Sequence, residues 1–253
     1  MPAPVQTGEN ACPEPPAHLF GQLAAVARAR PHASVLVNHD GMPMSYRELH
    51  DAAQYLAGYL QHHLEVRAGD RVALLMGAGR ELAIACYAVL RCDAAVVAIR
   101  PGTPATETAG HLQASHAQVI ITAQAMHDAL APLLAAGSLR GTVVAAAGNG
   151  SDAPVQRHTH TLSGALAAGI APLRMGPGGD GLAVVDCASG AGSPASAPTA
   201  MLSHRALAAM AASECRSPCN AGLDDLLALQ RAVSHGGCLI VRAAPEPAFS
   251  THF

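Results

Sequence analysis

The chain has 253 residues, half of them hydrophobic and only 3% aromatic, which is enough for one large domain or two small ones with an aliphatic core. The net charge is −3 at pH 7, without basic stripes or interleaved aromatics, and this argues against binding to nucleic acid or to anionic membranes. All 15 cationic side chains are arginine, so the sequence offers no lysine for a Schiff base or a phosphate contact.

The N-terminal segment, residues 1–17, is rich in Pro, Gly and polar residues and is expected to be a flexible lead-in. It lacks the charged segment and apolar run of a signal peptide, and no apolar run in the sequence approaches the length of a membrane span. Seven cysteines without a secretory signal indicate reduced thiols. We therefore expect a cytoplasmic protein with no membrane partner.

The next segment predicts a helix over 18–30, followed by two short strands around the turn at Asp40-Gly41. Ser45 with Glu48 three positions later forms the pattern of a capping box, which marks the start of a second helix. The apolar face of that helix is formed by Leu49, Ala53, Leu56 and Leu60.

From residue 71 onward, short apolar runs alternate with segments of helical pattern. Strands are predicted at 71–76, 94–99, 118–122 and 142–146, and helices at 80–91, 104–115 and 123–135. Strands that are apolar throughout, each followed by a helix, indicate a parallel sheet covered on both faces. The predicted fold class is therefore α/β, a doubly wound and mostly parallel sheet flanked by helices.

The remainder of the chain is less regular. Section 148–181 has a loose pattern and no predicted element, and the polar run "RHTH" at 157–160 is expected to lie in a loop that faces solvent. A strand at 182–187 follows, and after a glycine-containing loop a helix is predicted with Ser203 as its cap. One more helix, beginning near the solvated pair Asp224-Asp225, then precedes a final strand and a tail.

The order of motifs in the first half is informative. The segments "MSYRELHDAAQYLAGYL", "VRAGDRVALLM" and "AVLRCDAAVVAIRPGTPATETAGHLQASHAQVIITA" resemble adenylate-forming enzymes, the acyl-CoA synthetases and the adenylation domains of peptide synthetases. Residues that match the family signatures are Ser45, Tyr46, Glu48, Leu49, Gly69, Asp70, Arg71 and Val72. In the next block Asp93 replaces a glycine and Ala98 a proline. The resemblance implies the N-terminal subdomain of such a ligase, with expected bounds of 1–17 for the lead-in, 18–242 for a partial AMP-binding domain and 243–253 for a tail.

The stretch "DCASGAGSPASAPTAMLSHRAL", residues 186–207, resembles the family's S-G-T-T-G-x-P-K-G phosphate loop and the S-H pair that follows it. The resemblance implies that the phosphates of ATP or AMP meet Ser189, Gly190, Gly192 and Ser193. The turn is one residue short and has no lysine, so only N–H groups and hydroxyls remain to attract an anion. Since a hydrogen bond to a charged group is worth about 1.5–3 kcal/mol, losing two lowers affinity by roughly two to four powers of ten. We expect weak, millimolar nucleotide binding, no catalytic residue and no required cofactor.

The resemblance places the family's other functional elements after this loop. They are a T-x-E glutamate that helps to hold Mg²⁺, a Y-G-x-T-E segment at the adenine, a ribose-binding aspartate and a C-terminal lysine, and the sequence contains none of them. The sequence therefore predicts a truncated ligase-like protein that is not catalytic alone and acts as a binding or partner subunit. The expected partner is a full-length ligase, a carrier protein or a second copy of the chain. An alternative is half of a split ligase that another chain completes.

A second alternative, from another class, is a small Rossmann-like NAD(P)-binding protein. Gly77 and Gly79 follow a predicted strand and precede a predicted helix, as in the dinucleotide fingerprint. Leu82 occupies the third glycine position, and the acidic residue Asp93 comes too early for a ribose contact. An ordinary strand-to-helix turn is the favoured interpretation.

A metal site is disfavoured. Cys215 and Cys219 are flanked by His204 and His235, but zinc needs four such ligands and a Cys-x₃-Cys spacing alone is a weak cue. We therefore interpret these cysteines as ordinary reduced thiols and predict no metal.

Overall fold

The computed structural model describes residues 17–130, 139–145, 159–173, 175–176, 180–187, 200–213 and 221–241. The helices in these residues are α1 (Leu19–Ala29), α2 (Tyr46–His63), α3 (Arg80–Arg91), α4 (Ala105–Ser115), α5 (Gln124–Ala129), α6 (Leu162–Ala167), α7 (His204–Ala212) and α8 (Ala221–His235). The strands are β1 (Ser34–Val37), β2 (Pro43–Ser45), β3 (Arg71–Leu75), β4 (Ala95–Ala98), β5 (Val119–Ala123), β6 (Gly141–Ala145), β7 (Thr159–Thr161), β8 (Leu182–Asp186), β9 (Ala200–Ser203) and β10 (Leu239–Ile240).

Seven strands form the central sheet in the order β7-β6-β5-β3-β4-β8-β9. Every pairing in this sheet is parallel except that of β8 with β9, which is antiparallel. Successive side chains of a strand point to opposite faces, so Val72 and Leu74 of β3 enter one buried cluster and Ala73 and Leu75 enter another. The predicted fold class, a doubly wound and mostly parallel sheet flanked by helices, is confirmed.

The two faces of the sheet are covered by different helices. On one face α2 and α3 pack against each other, and α1, α7 and α8 add buried side chains to the same cluster. On the other face α4 contributes Leu112 to the second cluster. Among the described residues, no helix is both long and apolar enough to cross a lipid bilayer.

A second sheet, in the order β10-β1-β2, lies beside the start of α2. The predicted turn between β1 and β2 is present, and Gly41 has the positive φ of 81° that favours glycine. The predicted capping box is also present: Ser45 Oγ accepts from Glu48 N at 3.2 Å, and Ser45 N donates to Glu48 Oε2 at 2.7 Å. The four residues of the predicted apolar face of α2 are all buried.

The loose sequence pattern of section 148–181 assigns no element to it, yet the described part of this section contains two. The structure places β7 and α6 there, and β7 extends the sheet by pairing with β6. His160 of β7 is half-buried, and its Nδ1 lies 2.8 Å from Tyr59 Oη. The expected solvent-facing loop at 157–160 is therefore corrected for residues 159–160, while residues 157–158 lie outside the described part of the chain. The sequence of β7 is Thr-His-Thr, which has no apolar run that would predict a strand. These residues form a strand because they pair with β6, not because of a local hydrophobic pattern.

Candidate phosphate-loop site

The predicted phosphate loop is bracketed by β8 and β9. Ser189, Gly190, Gly192 and Ser193 themselves lie outside the described residues, so their predicted role stays a prediction. The strands on either side pair antiparallel with Asp186 opposite Ala200, and the loop therefore leaves and re-enters the sheet at one place. That place is the carboxyl end of β8, the edge of an open α/β sheet at which ligand sites form.

The helix after the loop begins as predicted. Ser203 precedes α7, and its side-chain oxygen accepts a hydrogen bond from Ala206 N at 3.2 Å. His204, the first residue of α7, is buried, and its backbone N donates to the carbonyl of Gly181 at 3.2 Å. Burial, together with the neighbouring His18, lowers the pKa of His204 to about 3, so its imidazole is neutral at physiological pH.

The charged residues described next to the loop do not favour binding of a polyphosphate. The sequence of 188–199 has no charged residue. Asp186, the last residue of β8, is buried and contributes a carboxyl group near the loop entrance. Arg205, the cation next to the loop on α7, pairs with Asp180 at 3.0 Å, and both side chains are more than two-thirds exposed. In the family the loop itself contains a lysine. Here the cation described next to the loop is Arg205, which lies on the surface and is already paired with Asp180.

A polar cluster that the sequence interpretation missed lies behind this edge. Asp93, which replaces the family's glycine, adopts the left-handed backbone conformation with φ of 55°. Its carboxylate lies 3.1 Å from His18 Nε2 and accepts from Gly176 N at 2.6 Å. The ring of His18 packs on that of His204 with centroids 4.0 Å apart. The sequence signal for this cluster is the unusual Asp93 itself, since an aspartate in a glycine position needs compensating contacts.

The comparisons with known proteins agree with this fold. A sequence model of the family described as AMP-binding enzyme matches residues 23–240. The chain belongs to the AMP-binding enzyme family. The predicted resemblance to adenylate-forming enzymes is therefore confirmed, and family membership assigns the chain to a lineage of ligases that activate carboxylates and use ATP or AMP.

The relatives are of the two kinds that the motifs indicate. The chain is 36% identical over 100 residues to the phosphinothricin tripeptide synthetase PhsB of Streptomyces viridochromogenes, which is 40% of this chain and 8% of that protein. It is 35% identical over 81 residues to a long-chain-fatty-acid–CoA ligase of Salmonella typhimurium, which is 32% of this chain and 14% of the ligase. These matches cover a small part of each relative.

A solved structure shows the same fold. The inhibitor-bound N-terminal domain of FACL13 from Mycobacterium tuberculosis superimposes with a TM-score of 0.73 and 19% identity, covering 90% of this chain and 58% of that domain. The sheet, the bracketing hairpin and the helices on both faces are therefore those of the N-terminal part of an AMP-binding enzyme.

The glycines of the rival dinucleotide fingerprint form a simple turn in this AMP-binding chain. Gly77 is exposed, and a Cβ there would meet no atom within 4 Å. Gly79 precedes α3, and Leu82 is buried at the position where the fingerprint needs a glycine for close packing. These contacts support the turn interpretation.

The described residues do not support a zinc site, because no three metal-binding side chains among them lie close enough together to hold a metal ion. Cys215 and Cys219 lie outside the described part of the chain. His204 uses its Nδ1 to accept from Leu19 N at 3.4 Å, and His235 is exposed at the end of α8. Burial raises the pKa of the free thiols of Cys86 and Cys92 to about 12 and that of Cys187 to about 11, so none of these three is a thiolate at neutral pH.

The acidic pair at the start of α8 is only partly solvated. Asp224 is exposed as expected, whereas Asp225 is half-buried. Burial, and then the charge of Asp224, raise the pKa of the Asp225 carboxyl. The expectation of a wholly solvated pair is therefore corrected for Asp225.

Proposed function

We propose that this AMP-binding family chain binds adenine nucleotides weakly at the 188–199 loop and does not activate a carboxylate on its own. The observation that carries the proposal is the absence of any charged side chain from this loop, in a sequence without lysine. Stabilising the charge that develops on transferring phosphate groups is the main task of such a site, and N–H groups and hydroxyls alone do it poorly.

The surroundings of the loop support the same conclusion. Arg205 is held in an exposed ion pair with Asp180, and a carboxyl group, Asp186, lies at the loop entrance. Arg205 would have to leave its pair with Asp180 and change its side-chain position before it could contact a phosphate. Ser189 and Ser193 are the hydroxyls that the sequence offers, and their contribution corresponds to the millimolar affinity expected above.

We propose further that the chain acts as a binding or partner subunit in the cytoplasm, with a full-length ligase, a carrier protein or a second copy as partner. Two strands at sheet edges in the described residues carry exposed apolar side chains: Met201 of β9 is 52% exposed and Ile240 of β10 is 66% exposed. Sheet edges with apolar side chains favour protein contacts. Buried, free cysteines support a reducing compartment.

A second candidate is a ligase whose remaining elements come from elsewhere. The chain covers 58% of the solved FACL13 domain. Another chain, or a further part of the same protein, would then provide the T-x-E and Y-G-x-T-E segments, and the chemistry of the loop would be completed from outside.

The first experiment measures ATP–pyrophosphate exchange by the purified chain with a panel of carboxylic acids, and ATP binding by calorimetry. We expect no exchange and a dissociation constant in the millimolar range. Release of pyrophosphate without any helper would refute the non-catalytic role. Exchange that appears only with a co-expressed ligase would favour the second candidate.

A gain-of-charge variant sharpens this test. The order Gly192-Ser193-Pro194 places Ala195 where the family signature has lysine. Ala195→Lys is expected to tighten ATP binding about tenfold, because a charge-assisted contact is worth about 1.5 kcal/mol. Ala197→Lys adds the same charge outside the signature and is the matched control. Equal gains in both variants would show that only net charge matters and that the loop does not align a phosphate.

A further inference from the structure

Two buried histidines meet at the start of α1. His18 directly precedes α1, and His204 begins α7, 186 positions later in the chain. Their rings are tilted by 30° with centroids 4.0 Å apart, and the residues are 5% and 2% exposed. Asp93, two residues after the end of α3, has its Oδ1 3.1 Å from Nε2 of His18. Three segments that are far apart in the sequence thus meet at the N-terminus of α1.

The hydrogen bonds define where the ring protons lie. His18 Nδ1 accepts from Phe20 N at 3.2 Å, and His204 Nδ1 accepts from Leu19 N at 3.4 Å. A backbone N–H is always the donor, so each Nδ1 must be unprotonated. The proton of neutral His18 is therefore on Nε2, where it is donated to Asp93 Oδ1. The two imidazoles together cap the first-turn amides of α1, which have no partner within the helix.

Protonation of either ring destroys this arrangement. An Nδ1–H group would face a backbone N–H, and the imidazolium would lie at the positive end of the α1 dipole and against the second ring. Burial lowers the pKa of both histidines. Asp93 acts in the opposite direction on the pKa of His18, while Arg91 at the end of α3 lowers it.

Other charged or titratable groups lie around this pair. Both Arg91 and His50 of α2 contact the ring of Phe20 rather than either imidazole of the pair. The guanidinium carbon of Arg91 lies 5.6 Å from the centroid of that ring, and the ring of His50 stacks on it with centroids 5.5 Å apart. On α7 the next residue, Arg205, is neutralised by Asp180. Asp93 is therefore the single carboxylate that contacts either ring among the described residues.

We propose that His18 and His204 form an acid-sensitive latch that fastens the N-terminus of α1 to the body of the domain and releases it when the rings are protonated. The released face of α1 carries Leu19, Phe20 and Leu23, which are buried in the closed state. The latch does not depend on whether the 188–199 loop binds a nucleotide.

The direction of the pH effect follows from the lowered pKa values. In the open state each histidine titrates near its ordinary pKa of about 6.5, whereas in the closed state it stays neutral to lower pH. The closed state is therefore fully favoured above about pH 6.5 and loses stability as the pH falls. For a ring that stays neutral in the closed state, the opening equilibrium rises about 30-fold between pH 7.5 and pH 5.0.

The same acidification leaves the neighbouring helix cap intact. The start of α2 is capped by Ser45 and Glu48, and hydrogen bonds from Ser45 lower the pKa of the Glu48 carboxyl. Glu48 consequently stays ionised at pH 5. Release is thus expected to be local to α1 rather than part of a general loosening.

The test is hydrogen exchange of the full chain from pH 7.5 to pH 5.0, with protection corrected for the intrinsic exchange rate. Protection of residues 19–29 is expected to fall at least 30-fold more than that of 46–63. In the variant His18→Asn/His204→Asn, each amide oxygen replaces Nδ1 as an acceptor that does not titrate. Its α1 protection is expected to be independent of pH, while His62→Asn, an exposed change in α2, keeps the wild-type response.

Two results would overturn the latch. One is a parallel loss of protection in α1 and α2, and the other is an unchanged pH response in the double variant. If that variant does not fold, nitrogen-15 chemical shifts of the wild-type histidines provide the test. His18 and His204 must each be protonated on Nε2 at pH 7.5. Neither ring must titrate near pH 6.5 while α1 stays closed.

Discussion

The body of the domain and its β8–β9 edge differ in what their sequence retains from the family. In the body, formed by α2, β3, α3 and β4, residues that match the family signatures also make the contacts that determine the fold, such as the Ser45–Glu48 cap. At the edge, the hairpin and the Ser203 cap are present, but the lysine of the family's phosphate loop is absent from the sequence.

This difference separates two requirements that a working enzyme meets together. A fold needs apolar pattern, caps and close packing, whereas a phosphate site needs charge aimed at a ligand. The chain satisfies the first requirement across both regions. We therefore expect the two regions to respond differently to substitution.

The largest effect is expected in the body, at Gly58 of α2. A Cβ at this position would overlap the backbone carbonyl of Ile170, where the 168–173 segment crosses the helix. That segment is held on both sides, because Leu173 N donates to Gln61 Oε1 at 2.7 Å and Leu173 O accepts from Arg91 at 2.9 Å. Gly58→Ala should therefore lower the free energy of unfolding by about 3 kcal/mol, measured by urea denaturation.

Gly77 supplies the matched control for that experiment. It lies in the open turn after β3, so Gly77→Ala should change stability by less than about 0.5 kcal/mol. Equal losses at the two glycines would mean that the close approach of the 168–173 segment to α2 does not exist in solution.

A smaller effect is expected at Tyr46, one of the residues that match the family signature. Its hydroxyl donates to the carbonyls of Gly237 at 2.7 Å and Ala232 at 3.0 Å, and so ties the start of α2 to the end of α8. Burial raises the pKa of Tyr46 to about 12. Tyr46→Phe should lower the free energy of unfolding at pH 7 by about 1–2 kcal/mol.

The raised pKa of Tyr46 also gives a pH signature. The stability that its neutral hydroxyl contributes is present below pH 10 and is lost as the pH rises from about 10 to 12. The difference in unfolding free energy between the wild type and Tyr46→Phe should therefore shrink over that range in chemical denaturation at alkaline pH. If this difference in unfolding free energy stayed constant up to pH 12, the Tyr46 hydroxyl would not be buried and hydrogen-bonded to the two carbonyls in solution.

Local pattern explains how much of the fold was predictable from the sequence. The helix predicted at 80–91 is observed at Arg80–Arg91, and the apolar runs from 71 to 146 locate β3 to β6 to within a residue or two. Those signals depend on neighbours in sequence. The strand β7 was missed because its three residues carry no apolar pattern and become a strand only by pairing with β6.

The candidate site was predictable only in part for a related reason. The Ser203 cap is a local signal and was found, whereas the contact of His18 with His204 joins residues far apart in sequence and left no periodic trace. Asp93 was noticed as a departure from the family glycine, but its partners His18 and Gly176 could not be named without the fold. Spacing predicts elements, while such polar clusters are assembled by topology.

The smallest effect is expected at the edge, at Arg205, and it tests the comparison most directly. The ion pair with Asp180 is exposed, so Arg205→Ala should change the free energy of unfolding by less than about 0.5 kcal/mol. ATP affinity should also stay within about twofold of the wild type, because the guanidinium of Arg205 is paired with Asp180. Calorimetry with Arg205→Ala, and with Arg28→Ala in α1 as a remote control for loss of one positive charge, measures both quantities. A loss of ATP affinity of fivefold or more that is confined to Arg205→Ala would show that this arginine performs the role of the family's lysine. The edge would then supply the charge for a phosphate through a different residue instead of lacking it.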